Sequence, residues 1–199
     1  MIDEGYIKFK CRWDKTIVHI DKSYIDDINY YRSRLIDMGM IGKIIDGPGY
    51  GNISCRLDSS NFLITGSDTG GVNTLNQNHL SIVKDVNVDT NTLSCSGMTI
   101  ASSESMSHAI IYKTLKSVQS VVHIHDSEMW HHYKHKLPTT DSTIFYGTPE
   151  MAYAIESEVK DNIDSNSLVL GGHEDGIIVF GSSFKECFLR VGKLFEKII

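Results

Sequence analysis

Two hydrophobic periods alternate along this chain, and that alternation limits its fold more than any other feature. Ile7, Phe9, Cys11 and Trp13 alternate with Lys8, Lys10 and Arg12, the period of two that a half-buried strand requires. In SYIDDINYYRSRLIDMGM, Ile25, Ile28, Tyr31 and Leu35 instead form one helical stripe ending at Gly39, with Ser23 as the expected N-cap. Gly47, Pro48, Gly49 and Gly51 then make a loop, followed by short strands around 53–57 and 61–65 and a strand-rich stretch to about Cys95. A helix is expected from about Ser103, then the strand SVVHIH, then a helix with Thr148 as N-cap and Pro149 in its first turn. SLVLGG and DGIIVFG read as strands and SSFKECFLRVGKLFEKII as a terminal helix. Strands both clustered and interleaved with helices call for an α/β fold, one sheet with helices on its faces. The pattern alone does not fix strand order.

No Pro/Gly/Ser-rich linker divides the 199 residues, so one domain over 1–199 is expected, long enough to bury a core. The formal charge of −6 argues against nucleic acid, whose binding needs clustered Lys and Arg. MIDEGYIKFK has no basic stretch leading into an apolar one, and no apolar run has membrane-spanning length, so a cytoplasmic protein without membrane contact is expected. Cys11, Cys55, Cys95 and Cys187 form no C-x-x-C pair and read as reduced thiols.

Residues 121–136, VVHIHDSEMWHHYKHK, hold five of the nine histidines. On a strand, positions i and i+2 share a face, so His123 and His125 point one way and Val122 and Ile124 the other. Two imidazoles on one face are half of a metal site, and equally a pair of satisfied buried histidines. Past Asp126 and Ser127 the chain is expected to turn helical, placing His131 and His135 on one face and His132 beside it. Flanking lysines and the lack of H-E-x-x-H mark those three as a solvated face. A catalytic zinc takes three protein ligands and an open position. In LGGHEDG, His173 sits between two strands with Gly171, Gly172 and Gly176 allowing a sharp bend, which suits a third ligand or a hairpin turn. Glu174 and Asp175 either orient His173 or populate the turn. HIHDSE misses the cupin pattern H-x-H-x(3,4)-E by one residue and the H-x-H-x-D-H pattern of metallo-β-lactamase-like hydrolases by the position of Asp126.

ASSES places Ser102, Ser103 and Glu104 at a helix start, where hydroxyls and unpaired N–H groups are both ordinary capping chemistry and an anion site, and where an acid beside a metal serves as a general base. GNIS and ITGSDTGG add turns whose amides and hydroxyls, from Asn52, Ser54, Ser67 and Thr69, suit a phosphate.

In this order, GNIS, ITGSDTGG, SSE opening a helix, HIH on a strand and a later His before a terminal strand and helix resemble the class II aldolase/adducin family. The resemblance leaves residues 1–20 uncovered. It implies a three-layer α/β/α domain around a largely antiparallel sheet, assembled as a homotetramer. His123, His125 and His173 would match the ligands of a zinc or other divalent ion, Glu104 the acid/base, and Asn52, Ser102, Ser103 and Ser67 or Thr69 the phosphate contacts. The implied activity is a lyase of the aldolase type acting on a small sugar phosphate through a metal-stabilised enediolate. Related branches epimerise or dehydrate, and adducin-like members only assemble. The retained ligands and acid favour an enzyme, and a metal enzyme of a non-phosphorylated substrate is a third reading. Asp68 stands where many members carry glycine. The aldolases' tyrosine acid has only Tyr133 and Tyr146 as counterparts by type, and packing is expected for each.

Overall fold

The computed structural model describes residues 6–198. Strand β1 (Lys10–Asp14) leads into helix α1 (Lys22–Asp37), a two-residue hairpin of β2 (Gly42–Lys43) and β3 (Gly49–Tyr50), and the strands β4 (Asn52–Arg56), β5 (Phe62–Thr65), β6 (Leu80–Asn87) and β7 (Thr92–Ser96). Helix α2 (Ser105–Thr114), strand β8 (Ser120–His125) and helices α3 (Ser127–Tyr133) and α4 (Pro149–Asp161) follow, then β9 (Ser167–Val169), β10 (Gly176–Gly181) and helix α5 (Phe184–Phe195). The eight-stranded sheet has the order β1-β7-β6-β5-β4-β8-β10-β9. β1 pairs with β7 in parallel, and the remaining ladders are antiparallel.

Helices cover both faces of this sheet, which makes three layers. On one face Met106, Ile110 and Ile111 of α2 and Met151, Ile155 and Val159 of α4 pack on Phe62, Ile64, Val121, Ile178 and Phe180. On the other, Ile28 and Leu35 of α1, Trp130 of α3 and Val191 and Leu194 of α5 pack on Ile53, Leu63, Val122, Ile124, Ile177 and Val179. Successive residues of β5, β8 and β10 thus enter different cores, as a strand's alternation demands when both faces are covered. Each fully buried Ile, Leu or Val contributes about 1.5–3 kcal/mol. No helix among the described residues is long and apolar enough to cross a membrane.

Several local expectations shift. Helix α1 is capped by Asp21, whose Oδ1 accepts from Ser23 N at 2.8 Å, so Ser23 lies inside the first turn. The first strand's ladder takes in only Lys10–Asp14, and β1 is largely exposed because it is an edge strand with one neighbour. Ile7 and Phe9 precede the ladder and pack against the first core nonetheless. Cys11 and Cys95 meet across the β1–β7 pair as free thiols with their sulfurs 3.3 Å apart. Helix α3 ends at Tyr133 and His135 adopts a left-handed φ of 66°, so His131 and His135 do not share a helical face. His131 and His135 are exposed, which keeps the solvated reading for them. Thr148 caps α4 through Met151 N, with Pro149 at the first helical position as expected.

One buried cation ties α1 to the turn that follows β5. Arg32, 1% exposed, donates through Nη1 to Val72 O at 2.5 Å and through Nη2 to Thr69 O at 2.7 Å and Gly70 O at 3.0 Å. Burial lowers its pKa to about 10, which leaves it charged at neutral pH. Arg32→Met keeps the stem and removes the donors, stranding three carbonyls. It is expected to lower stability by about 3 kcal/mol, read as a lower urea midpoint with an unchanged m-value. A loss under about 0.5 kcal/mol would mean that the turn holds itself.

Candidate metal centre and anion cradle

His123 and His125 sit on β8 between two antiparallel neighbours, His123 opposite Asn52 on β4 and Ile178 on β10, His125 opposite Gly176. They extend the row begun by Val121, so a strand that is apolar at its start presents imidazoles at its end. His173 reaches them from the turn between β9 and β10. The three residues each offer a ligand atom, all within 4.8 Å of one another, and the ring centroids are 4.8–5.1 Å apart. His123 and His173 are buried, and desolvation holds both imidazoles well below their usual pKa, with neighbouring imidazoles adding to it. Burial likewise takes His125 down to about 4 against the opposing charge of Asp175. Neutral imidazoles are the form that ligates a metal.

The glycines of LGGHEDG work by proximity, not by an unusual backbone. A Cβ on Gly171 would collide with Thr140 O and one on Gly172 with Ile144 O, so the 140–144 loop packs directly on the turn. The left-handed residue is Asp175, at φ 68°, which gives it a turn role, while Glu174 is exposed. A Cβ on Gly176 would lie 2.6 Å from His173 Cδ2 and 3.1 Å from His123 Nε2, intruding among the imidazoles.

Asn52 Nδ2 and His123 Nδ1 are 3.3 Å apart. A ring that offers Nε2 to a metal carries its proton on Nδ1, so the amide oxygen must face it; half a turn of the amide achieves this with no loss of contact. Asn52 Oδ1 and His123 Nε2 are both buried without a hydrogen-bond partner among the described residues. The rotated amide satisfies the first, and a cation would satisfy the second.

Asn52 also lines a small cleft with Ser67, Thr69, Ser102, Ser103 and the backbone of Gly51 and Gly66, so the residues expected to hold phosphate come together. Ser67 and Thr69 both face it, and Thr69 Oγ1 donates to Gly66 O at 2.7 Å. Asp68 is exposed with φ 57°, the left-handed backbone that explains why glycine suits this position and why Asp is tolerated. Ser54 is not part of the cleft: its hydroxyl bonds His108 Nδ1 at 2.7 Å and Tyr112 OH at 2.8 Å in the interior.

Glu104 follows the two serines as the N-cap of α2 but makes no side-chain capping bond. Its carboxyl is 1% exposed; Oε2 accepts from Ser107 Oγ at 3.1 Å, and Oε1 has no partner among the described residues. Burial raises its pKa to about 7 against the Ser107 hydrogen bond and the charge of Lys8, so a proton can be held or released near neutrality.

Beyond the imidazoles an open cleft of about 620 Å³ is lined by Tyr50, His125, Asp126, Tyr146, His173 and Asp175 among others. Tyr146 packs as expected and also meets the imidazole cluster. It is buried, yet its ring centroid stands 4.6 Å from that of His173. Tyr133 packs as expected, donating to Leu194 O at 2.7 Å. Gly147, left-handed at φ 70° just ahead of the Thr148 cap, marks the turn that follows Tyr146.

The family model described as class II aldolase and adducin N-terminal domain matches residues 45–196. Among solved structures, L-fuculose-1-phosphate aldolase from Thermus thermophilus is 19% identical with a TM-score of 0.63, the alignment covering 86% of this chain and 89% of that one. A sugar-phosphate aldolase from Thermotoga maritima is 15% identical at TM-score 0.68, with 87% and 90% covered. The N-terminal class II aldolase domain of a conserved Thermoplasma acidophilum protein is 16% identical at TM-score 0.58, with 94% and 98% covered. These likenesses show the fold. No curated protein matches the chain.

The buried groups make opposite demands on pH in the metal-free protein. The imidazoles, with depressed pKa values, bind fewer protons folded than unfolded below pH about 6.5, so stability falls on acidification. Glu104, with a raised pKa, holds its proton in the folded state from the ordinary value of 4.5 up to about 7, so its contribution falls as pH rises through that window. Glu104→Gln removes only the second effect and should steepen the loss of stability between pH about 6.5 and 4.5, measured as urea midpoints at fixed ionic strength. Parallel curves for the two proteins would show that Glu104 titrates normally.

Proposed function

Since the chain belongs to the class II aldolase and adducin family, we propose that it is a zinc-dependent enzyme of the lyase type that acts on a small sugar phosphate through an enediolate. The observation that carries this reading is the cluster of neutral imidazoles, the buried His123 and His173 and the half-buried His125, with His123 Nε2 unsatisfied among the described residues and Asn52 placed to fix its tautomer. Exposed acidic clusters are common without a metal; three histidines gathered from one strand and a turn, two of them buried, are a costly arrangement in a stability sense and fit a nitrogen-preferring divalent ion. The names of the L-fuculose-1-phosphate and sugar-phosphate aldolases that share the fold support the substrate class.

When bound, such an ion supplies a Lewis acid for a carbonyl and its neighbouring hydroxyl. The chain supplies the rest. Backbone amides and the hydroxyls of Ser67, Ser102 and Ser103 hold the phosphate at the α2 N-terminus, where the helix dipole favours an anion, while Thr69 gives its hydroxyl proton to Gly66 O and shapes the turn. Asn52 lies on the boundary between that cleft and His123, so substrate anchored there is directed at the imidazoles. Glu104, next in chain to the serines and with a pKa near 7, takes and returns the proton. We assign the reaction to the cytoplasm and the chain to a homotetramer, on the free thiols and the family resemblance respectively.

The test is metal analysis combined with turnover. About one zinc or similar ion per chain is expected, lost in His173→Ala and kept when His131 and His135 are both replaced by Ala. A panel of sugar phosphates should give cleavage, epimerisation or dehydration, with inorganic phosphate competing and Glu104→Gln slower by about 10²–10⁴-fold. Metal uptake with no turnover of any phosphorylated sugar, or turnover that phosphate does not inhibit, would sink the sugar-phosphate reading. A protein that takes up no metal would sink the enzyme reading in favour of a module of assembly.

A further inference from the structure

The family match starts at residue 45, yet a segment far ahead of it touches Tyr146, the residue that rests against the third imidazole. Residues Tyr6–Phe9 follow a fixed path: Ile7 and Phe9 pack on the first core, Asn91 Nδ2 donates to Lys8 O at 3.0 Å, and Lys10 N donates to Asn91 O at 2.9 Å. From this path Tyr6 N donates to the Tyr146 hydroxyl at 3.1 Å. Lys8 Nζ lies 3.9 Å from the centroid of the Tyr146 ring, a cation–π contact, while its stem runs beside Gly147, where a Cβ would meet Lys8 carbons at 3.4 Å. Tyr146 in turn rests against His173, ring centroids 4.6 Å apart.

His123 and His125 are oriented by a strand paired on both sides, and His123 also by Asn52. His173 sits on a turn, where the backbone alone leaves the imidazole two side-chain torsions to settle, and a ligand must be held close to its working geometry to bind well. The ring of Tyr146 restricts those torsions, and the segment before β1 holds Tyr146 in place.

We infer that Lys8 and Tyr146 are positioning residues for His173, so that the N-terminal segment outside the family match is a working part of the metal centre. The inference rests on the metal reading proposed above.

Cobalt(II) is the probe, because its visible ligand-field bands report the geometry of the nitrogen donors independently of turnover. The wild type, Lys8→Met, Lys8→Arg, Tyr146→Leu and the double variant Lys8→Met/Tyr146→Leu are loaded with Co²⁺, and affinity is measured by chelator competition. Tyr146→Leu is expected to weaken Co²⁺ about 10-fold and to shift the bands. Lys8→Met should shift the bands in the same way, Lys8→Arg should restore them because it returns a cation to the ring, and the double variant should differ little from Tyr146→Leu. Wild-type bands in Lys8→Met, or a shift that Lys8→Arg does not rescue, would overturn the role of Lys8. If Tyr146→Leu does not fold, the Lys8 pair decides alone. Wild-type Co²⁺ bands in His173→Ala would overturn the inference along with the ligand assignment. Altered bands in a protein that turns over no sugar phosphate would uphold it while the proposed reaction fails.

Discussion

A strand with helices on both faces has no water to satisfy a polar side chain, and that is the constraint under which β8 places His123, with His125 next to it at the mouth of the open cleft. The apolar neighbours Val121, Val122 and Ile124 are what bury the strand, and the same burial is what holds the imidazoles neutral. The site is therefore not attached to the fold as an accessory. It is the place where the two cores on either side of the sheet give way to polar groups, and each of those groups needs a neighbour arranged for it: Asn52 for His123, Ser107 for Glu104, Tyr146 for His173.

The cleft proposed for the phosphate obeys a different rule. Among the described residues that line it there is no cation; its donors are small hydroxyls and amides on turns, so its shape depends on the backbone of residues 66–70. Arg32 does not line the cleft but fixes that backbone by donating to the carbonyls of Thr69, Gly70 and Val72. A helix at the start of the chain thereby sets the shape of a cleft between β4, β5 and α2.

The layered architecture was legible in the sequence because it rests on periodicity: the stripe of Ile25, Ile28 and Leu35 and the alternation in SVVHIH map directly onto buried faces. The gathering of His123 and His125 followed from the same two-residue period. His173 was legible through its glycines, but for the wrong physical reason, since Gly171 and Gly172 are required by the neighbouring 140–144 backbone and not by a bend. What pattern could not supply was long-range contact. Nothing local to Lys8 or Tyr146 announces that they meet, because the contact is made by the β1–β7 pairing, and strand order is not written in hydrophobic period. The helix cap at Asp21 and the left-handed His135 were missed for a smaller reason: boundaries depend on single hydrogen bonds and torsions that a stripe of apolar residues does not resolve.

The parallel pairing of β1 on β7 also moves the edge of the sheet from β7 to the largely exposed β1. Without it, β7 would present a row of unpaired amides and carbonyls from Thr92 to Ser96, a template on which another chain could add a strand. At the opposite side β9 is only three residues long and is met by Thr139 at Val169, leaving little room for such growth. Fragments cut at the start of the family-matched region would present the more apolar β7, with Leu93 and Cys95, as that edge in place of the charged β1.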